Sequence, residues 1–198
     1  MRNLIIKTAL ITVAIVIAVS TLVCSSIMLF APKATSNFFY SIGNKKLALV
    51  YAEKQYSKSK DILDLENVVV ISNESGDYVT SAKYSEILIA DNGFIALCQI
   101  NDNSGEYGMS YFNYVYGNYA VALYKTEAPY EKVFLVADKT IEIEYTPFNA
   151  YAFLIYSDIG QTKEFYNALK TKLGTLSIVS ADLTYDIETL TQKINSLN

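Results

Sequence analysis

Residues 39–60 read FYSIGNKKLALVYAEKQYSKSK, and residues 71–88 read ISNESGDYVTSAKYSEIL. Each stretch has a glycine near its start, Gly43 in the first and Gly76 in the second, and the two glycines lie 33 residues apart. After Gly43, the residues Leu47, Val50 and Tyr51 have the spacing of one helix face. A recurring glycine followed by helical spacing indicates an internal repeat built of helices.

This period resembles that of the tetratricopeptide repeat, which is about 34 residues long. In that family a glycine-containing turn joins two antiparallel helices, and a small residue five positions after the glycine lets the helices pack closely. Ala48 and Ser81 occupy that position here. The resemblance covers about a third of the chain. It implies antiparallel helical hairpins in an α-solenoid, and it implies protein binding rather than catalysis. Further matches are Asn44, Asp77, Tyr78, Ala52 and Tyr84.

Two segments after Leu88 continue the helical pattern. Residues 157–170 again look like a glycine turn, at Gly160, that opens a second helix. Residues 180–197 form an amphipathic stripe with spacings of four, three and four, which suits a terminal cap of a helical stack. The stripe consists of Leu183, Ile187, Leu190 and Ile194.

A strand interpretation competes with the helical one at three places. Residues 66–71, 133–136 and 140–145 contain β-branched runs or period-two alternation. However, the chain has three prolines and eight glycines, which is few for a domain of many short strands. The sequence therefore predicts an all-α fold, with an α+β domain as the alternative.

The N-terminal segment is apolar over the length of a membrane span. Ala9 to Phe30 are 22 residues without a charged side chain. At about 1.5 Å rise per residue, such a helix crosses a hydrocarbon core about 30 Å thick. We therefore expect two parts, a transmembrane anchor over residues 1–32 whose residues 9–30 contact the lipid bilayer, and a helical-repeat domain over residues 33–198.

The charges flanking this segment predict its orientation. Arg2, Lys7 and the terminal amine precede it, whereas Lys33 follows it. The positive-inside rule then places the N-terminus in the cytoplasm and the domain outside it, in a single-pass protein of the cell membrane. Two alternatives are a cleaved signal peptide and lipidation at Cys24, but the segment is long for a signal peptide, and Val23 replaces the small residue expected before a lipidated cysteine.

Composition argues against several functions. The chain has no histidine, which removes the commonest general base and metal ligand. Arg2 is the only arginine, and residues 33–198 carry 14 lysines against 20 acidic residues. That balance disfavours nucleic-acid binding, which needs a basic face. Cys98 lies in an apolar run and is expected to be a buried small residue. We expect no metal, no cofactor and no enzymatic activity.

One segment is rich in aromatic residues and is the candidate partner-binding site. In one interpretation its rings line a groove that binds another protein or peptide, because tyrosines contribute much contact area at interfaces. In the other, Phe112, Tyr116 and Tyr119 form a core-facing side of a helix. We call the aromatic residues of the whole segment the aromatic band, and its members are Tyr107, Tyr111, Phe112, Tyr114, Tyr116 and Tyr119.

These features together predict a membrane-anchored, non-enzymatic interaction module, a scaffold or adaptor of the bacterial cell envelope. Two alternatives remain open. One is an accessory subunit of a membrane complex, with helix contacts through Ser20, Thr21, Ser25 and Ser26. The other is an enzyme whose chemistry is not recognised in the sequence.

Overall fold

The computed structural model describes residues 2–102, 108–141, 145–157 and 160–197. Over these residues eleven α-helices and one 3-10 turn follow one another, and no strand occurs among them. The prediction of an all-α fold is confirmed for this part of the chain. The helices are α1 Arg2–Phe30, α2 Pro32–Ser41, α3 Lys45–Ser59, α4 Ile62–Ser75, α5 Tyr78–Ile89, α6 Asn92–Asp102, α7 Gly108–Lys125, α8 Tyr130–Asp138, α9 Ala150–Tyr156, α10 Lys163–Gly174 and α11 Ala181–Ser196, with the 3-10 turn at Lys139–Ile141.

The segments with strand-like sequence form no strand where they are described, and Tyr145 is their one described residue outside a helix or the 3-10 turn. Residues 66–71 lie inside α4 and residues 133–136 inside α8. Thr140 and Ile141 belong to the 3-10 turn, and residues 142–144 are outside the described residues. Val68, Val69 and Ile71 of α4 are buried against neighbouring helices. Such burial outweighs their helix propensity, a difference of about 0.7 kcal/mol per residue at most.

The two glycine turns have the same backbone geometry. Gly43 and Gly76 have φ values of 78° and 76°, a region that only glycine enters without strain. The next residue caps the following helix in both turns: Asn44 accepts a hydrogen bond from the Leu47 N–H, and Asp77 accepts one from the Thr80 N–H. A turn of this length between packed helices reverses the chain, so each turn closes a helical hairpin.

Small residues lie where these hairpins close. Ala48 and Ser81 are completely buried. The Ser36 hydroxyl on α2 donates a hydrogen bond of 2.8 Å to the Ala48 carbonyl on α3, which brings the two helices into close contact. From α2 to α5 each helix packs against the next. The predicted helical hairpins are therefore present, while kinship with the tetratricopeptide repeat stays a prediction.

The remaining helices extend the stack around α7. This helix packs against α5, α6, α8 and α9, and α10 packs against α11. The buried side of α7 includes Tyr119, Ala120 and Leu123, which join the largest core cluster. Gly117 allows the close approach of α9, because a Cβ atom there would lie 2.5 Å from the Phe153 ring.

The later sequence predictions also correspond to helices. Gly160 has a φ of 63° and precedes α10, which Thr162 caps by accepting a hydrogen bond from the Phe165 N–H. The amphipathic stripe at the C-terminus lies on α11. Leu183 and Leu190 are buried there, and the other two members of the stripe are partly buried against the same core.

The N-terminal helix α1 has a largely exposed surface. Every side chain described between Leu10 and Leu22 is exposed, and the large aliphatic ones are 53–68% exposed. The prediction of a helix over residues 9–30 is confirmed. Among the described residues, no helix combines the length and the apolar character needed to cross a membrane. The transmembrane role therefore stays a prediction.

Replacing Gly76 with alanine tests the contribution of the repeated turn. No atom lies within 4 Å of an added Cβ, so the expected cost comes from the positive φ alone, about 1–2 kcal/mol of unfolding free energy. Gly174→Ala is the matched control, because Gly174 ends α10 without a positive φ and also has open space around it. Urea unfolding followed by circular dichroism should show a loss of stability for Gly76→Ala only. Equal stability of the two variants would contradict the conclusion that the turn needs glycine for its positive φ.

Candidate functional site

The described members of the aromatic band lie mainly in the core. Tyr116 is 8% exposed and Tyr119 is 2% exposed. Phe112 is partly buried and stacks on Tyr116 with ring centroids 4.2 Å apart. These three rings therefore form the core-facing side of α7, as the second interpretation of the sequence holds.

The other members of the aromatic band are less buried or not described. Tyr114 is partly buried and meets the Phe153 ring edge to face at 6.0 Å. Its burial raises the pKa of its hydroxyl, so the phenol stays neutral. Tyr107 and the side chain of Tyr111 lie outside the described residues. Binding of a partner by this band remains a prediction.

A buried carboxylate joins the first three helices of the stack. Asp64, in the first turn of α4, is 5% exposed. It accepts hydrogen bonds from the Gln55 amide at 2.9 Å and the Ser59 hydroxyl at 2.7 Å, both at the end of α3. The Lys33 ammonium of α2 lies 3.2 Å from its other oxygen. Burial opposes ionisation, but the hydrogen bonds and the ammonium outweigh it and lower the pKa of Asp64.

A second carboxylate repeats this arrangement at the other end of α4. Glu74 accepts a hydrogen bond of 2.7 Å from the Tyr40 hydroxyl of α2. The Lys45 ammonium of α3 lies 3.1 Å from the same oxygen. Burial again opposes ionisation of Glu74, yet Tyr40 and Lys45 lower its pKa. We call Asp64 and Glu74 the α4 clamp, because each carboxylate binds one residue from α2 and at least one from α3.

Two open cavities adjoin at the end of the stack where Glu74 lies. One, of about 520 Å³, lies around the Gly43 turn, and the other, of about 500 Å³, lies between α3 and the Gly76 turn. They share Lys46 and Ser75, so they form one continuous surface. We call it the turn cleft, and it is lined by Ile42, Gly43, Asn44, Lys45, Lys46, Leu49, Val50, Glu53, Glu74, Ser75, Gly76 and Asp77.

The turn cleft combines exposed apolar side chains with charges of both signs. Ile42 is 59% exposed and Val50 is 55% exposed. Lys46 and Glu53 lie on the same side of α3 as Val50, with one helical turn between successive members. An open surface of this composition suits contact with another chain better than enclosure of a small substrate, which needs a concave and mostly apolar pocket.

The sequence indicated the turns of this surface but not the surface itself. Gly43, Asn44, Gly76 and Asp77 were recognised through the repeat. The sequence places Val50 on one helix face with Leu47 and Tyr51, and this spacing is the same whether Val50 is exposed or buried. Only the packing of neighbouring helices distinguishes the two cases.

A carboxylate and two phenols form a further polar cluster among α9, α11 and the segment before α9. Asp186 accepts hydrogen bonds of 2.7 Å from the hydroxyls of Tyr145 and Tyr156. Burial and the contact with Asp186 raise the pKa of Tyr156 to about 12. Because Tyr145 and Asp186 are 1% and 3% exposed, we assign this cluster to the attachment of α11 rather than to catalysis.

Cys98 and the acidic residues show no reactive grouping in the described part of the chain. Cys98 is buried beside Phe94, Leu65 and Val115. Burial, with a smaller effect of Glu66, raises the pKa of its thiol to about 11, which is the opposite of what a nucleophilic cysteine needs. In the part of the chain that the structure describes, no group of three or more histidine, cysteine or acidic side chains is arranged to hold a metal ion.

Comparison with known proteins finds no match to the chain among protein-family models, curated proteins or solved structures.

Replacing Asp64 with asparagine should weaken the fold in a pH-dependent way. The pKa of Asp64 is lowered in the folded chain, so its stabilising effect is present above the ordinary pKa of 3.8 and is lost as the pH falls through the lower folded value. At neutral pH we expect Asp64→Asn to lower the unfolding free energy by about 1–3 kcal/mol, and this difference should shrink in acid.

The measurement is urea unfolding of the wild-type chain and of Asp64→Asn, from neutral pH down into acid. Glu188→Gln, on the exposed side of α11, is the control for loss of one negative charge. An effect of Asp64→Asn no larger than that of Glu188→Gln would contradict the role assigned to the α4 clamp.

Proposed function

We propose that the protein is a membrane-anchored, non-enzymatic interaction module of the bacterial cell envelope, a scaffold or adaptor that binds another protein through its helical stack. The observation that carries this proposal is α1, a helix with an apolar and exposed surface. Eight large aliphatic side chains between Leu10 and Leu22 are 53–68% exposed. Burying one such side chain is worth about 1.5–3 kcal/mol, so water is an unfavourable environment for this surface.

The hydroxyl groups of α1 support a bilayer as that environment. Thr21 donates a hydrogen bond of 2.8 Å to the Ile17 carbonyl, and Ser26 donates one of 2.8 Å to the Leu22 carbonyl. Their donor groups are therefore satisfied within the helix and need no water. The anchor proposed here comprises residues 9–30, with residues 33–198 as the attached domain.

The orientation proposed is a cytoplasmic N-terminus and an extracytoplasmic domain. It rests on the charges before the apolar segment of residues 9–30, at Arg2 and Lys7, against the single Lys33 close behind that segment. Lys33 is already engaged with Asp64, which ties the first residues after the anchor to the stack. The domain is thereby held close to the outer face of the membrane.

The turn cleft is the partner-binding surface that the geometry favours. It joins the two repeated turns, and it offers exposed Val50 next to Lys46 and Glu53. The shared geometry of the Gly43 and Gly76 turns supports kinship with tetratricopeptide-like repeats, a class in which stacked hairpins bind other proteins. In the aromatic band, Phe112 and Tyr114 keep some exposed surface and are a second candidate contact.

Adding positive charge to α1 tests the anchor. The double variant Ile15→Lys, Val19→Lys places two lysines one helical turn apart in the exposed apolar surface. Each lysine at the centre of a span costs about 2.5–3.5 kcal/mol. We expect the wild-type chain to stay in the membrane pellet after an alkaline carbonate wash and the variant to appear in the soluble fraction.

Leu135→Lys is the matched control, because Leu135 is an equally exposed aliphatic residue on α8. It should leave the membrane fraction unchanged. Retention of the double variant in the washed membrane would rule out α1 as the anchor.

Photo-crosslinking in native membranes tests the turn cleft. A photoreactive amino acid at Val50 should yield an adduct of defined mass, whereas the same amino acid at Leu135 should not, although both positions are exposed. Lys46→Glu should reduce the Val50 adduct, because it reverses a charge beside the probe. Adducts of equal yield at Val50 and Leu135 would show unspecific contact and would contradict the proposal that the turn cleft binds a partner.

A further inference from the structure

Helix α2 has an inverted distribution of polar and apolar side chains. Its buried residues are Pro32, Thr35 and Ser36. Phe38 is 55% exposed, and Ile42, at the C-terminal end of the helix, is 59% exposed. A surface helix of a water-soluble domain normally shows the opposite pattern, with its apolar face toward the core.

The packing of α2 against α3 explains the buried polar face. Ser36 donates its hydroxyl proton to the Ala48 carbonyl, and the second partner of this contact, Ala48, is itself completely buried. Two small side chains let the helices approach closely at this point, and farther along α2 the Phe39 ring stacks on Tyr51 of α3 with ring centroids 5.7 Å apart. The stripe Ala34, Phe38 and Ile42, with spacings of four, faces outward.

The position of α2 identifies what covers this stripe. One residue, Ala31, separates α2 from α1, and its φ and ψ of −122° and 63° depart from helical geometry. Pro32 then starts a new helix, which is typical of a change in direction. Ten residues of helix extend about 15 Å, and α2 begins one residue after the end of α1.

We propose that α2 lies in the interface of the bilayer, with the stripe Ala34, Phe38 and Ile42 inserted at the boundary of headgroups and acyl chains. This inference rests on the proposed function, because it takes the end of α1 as the edge of the membrane. The inserted face lies about 5–10 Å deep, as for other interfacial helices. Tyr40, with its hydroxyl on Glu74, lies beside the stripe as an amphipathic ring suited to this depth.

The interfacial position defines the class of partner for the turn cleft. Ile42 belongs both to the stripe and to the cleft, so insertion of α2 brings the cleft to the membrane surface. The partner that fits is then another protein held at the same membrane, approaching along its plane. A diffusing soluble peptide meets a cleft that is partly screened by lipid.

The chain contains no tryptophan, so one introduced tryptophan reports its own surroundings. The full-length Phe38→Trp chain is reconstituted into vesicles of phosphatidylcholine with a minority of phosphatidylglycerol, with and without brominated acyl chains. Bromine quenches tryptophan on contact. We expect strong loss of fluorescence for Phe38→Trp, strong loss for Ile15→Trp in α1, and no loss for Tyr185→Trp on α11.

The outcomes separate this inference from the proposed function. Quenching of Phe38→Trp and Ile15→Trp but not of Tyr185→Trp supports the interfacial helix. Quenching of Ile15→Trp alone overturns it and leaves the anchor in place. Absence of quenching at Ile15→Trp overturns the anchor and the interfacial helix together. Circular dichroism checks each fold, and Ile42→Trp provides the same readout if Phe38→Trp does not fold.

Discussion

Helix α4 depends on two carboxylates, one near each end, and the arrangement of the first helices depends on both. Asp64 binds Lys33 and the end of α3, and Glu74 binds Tyr40 and the start of α3. Asp64 is 5% exposed, and a carboxylate so deeply buried is stable in its charged form only when hydrogen-bond donors contact its oxygens. The need to satisfy Asp64 therefore fixes the end of α3 against the start of α4, and Lys33 adds a contact from α2.

This constraint has consequences for the surface. With α2 held at both ends and its small residues against α3, Phe38 and Ile42 face outward, while Phe39 packs on Tyr51 of α3. With the Gly43 and Gly76 turns held at one end of the stack, the turn cleft forms between them. The same contacts that stabilise the stack thus create the two exposed features on which the functional proposals rest, next to the helix proposed as the membrane anchor.

Local signals in the sequence predicted much of the fold. The glycines at 43 and 76 predicted turns because left-handed backbone favours glycine, and both have positive φ. The stripe of α11 predicted a helix with one buried side, and Leu183 and Leu190 are buried. The β-branched run at residues 66–71 pointed toward a strand, whereas the run lies inside α4, where neighbouring helices bury Val68, Val69 and Ile71. Propensity is a weak effect, and packing outweighed it there.

The sequence by itself determined the all-α class, the helices that follow the glycine turns, the C-terminal helix and an apolar N-terminal segment, because these follow from spacing, backbone preference and composition within a few residues. Only the tertiary structure decided that Tyr116 and Tyr119 are core residues, that Thr35 and Ser36 are buried while Phe38 is exposed, and that Val50 lines a cleft. The physical reason is that burial depends on which helix lies opposite. Contacts such as Ser36 with Ala48 and Lys33 with Asp64 join residues far apart in the chain, and no local pattern encodes them.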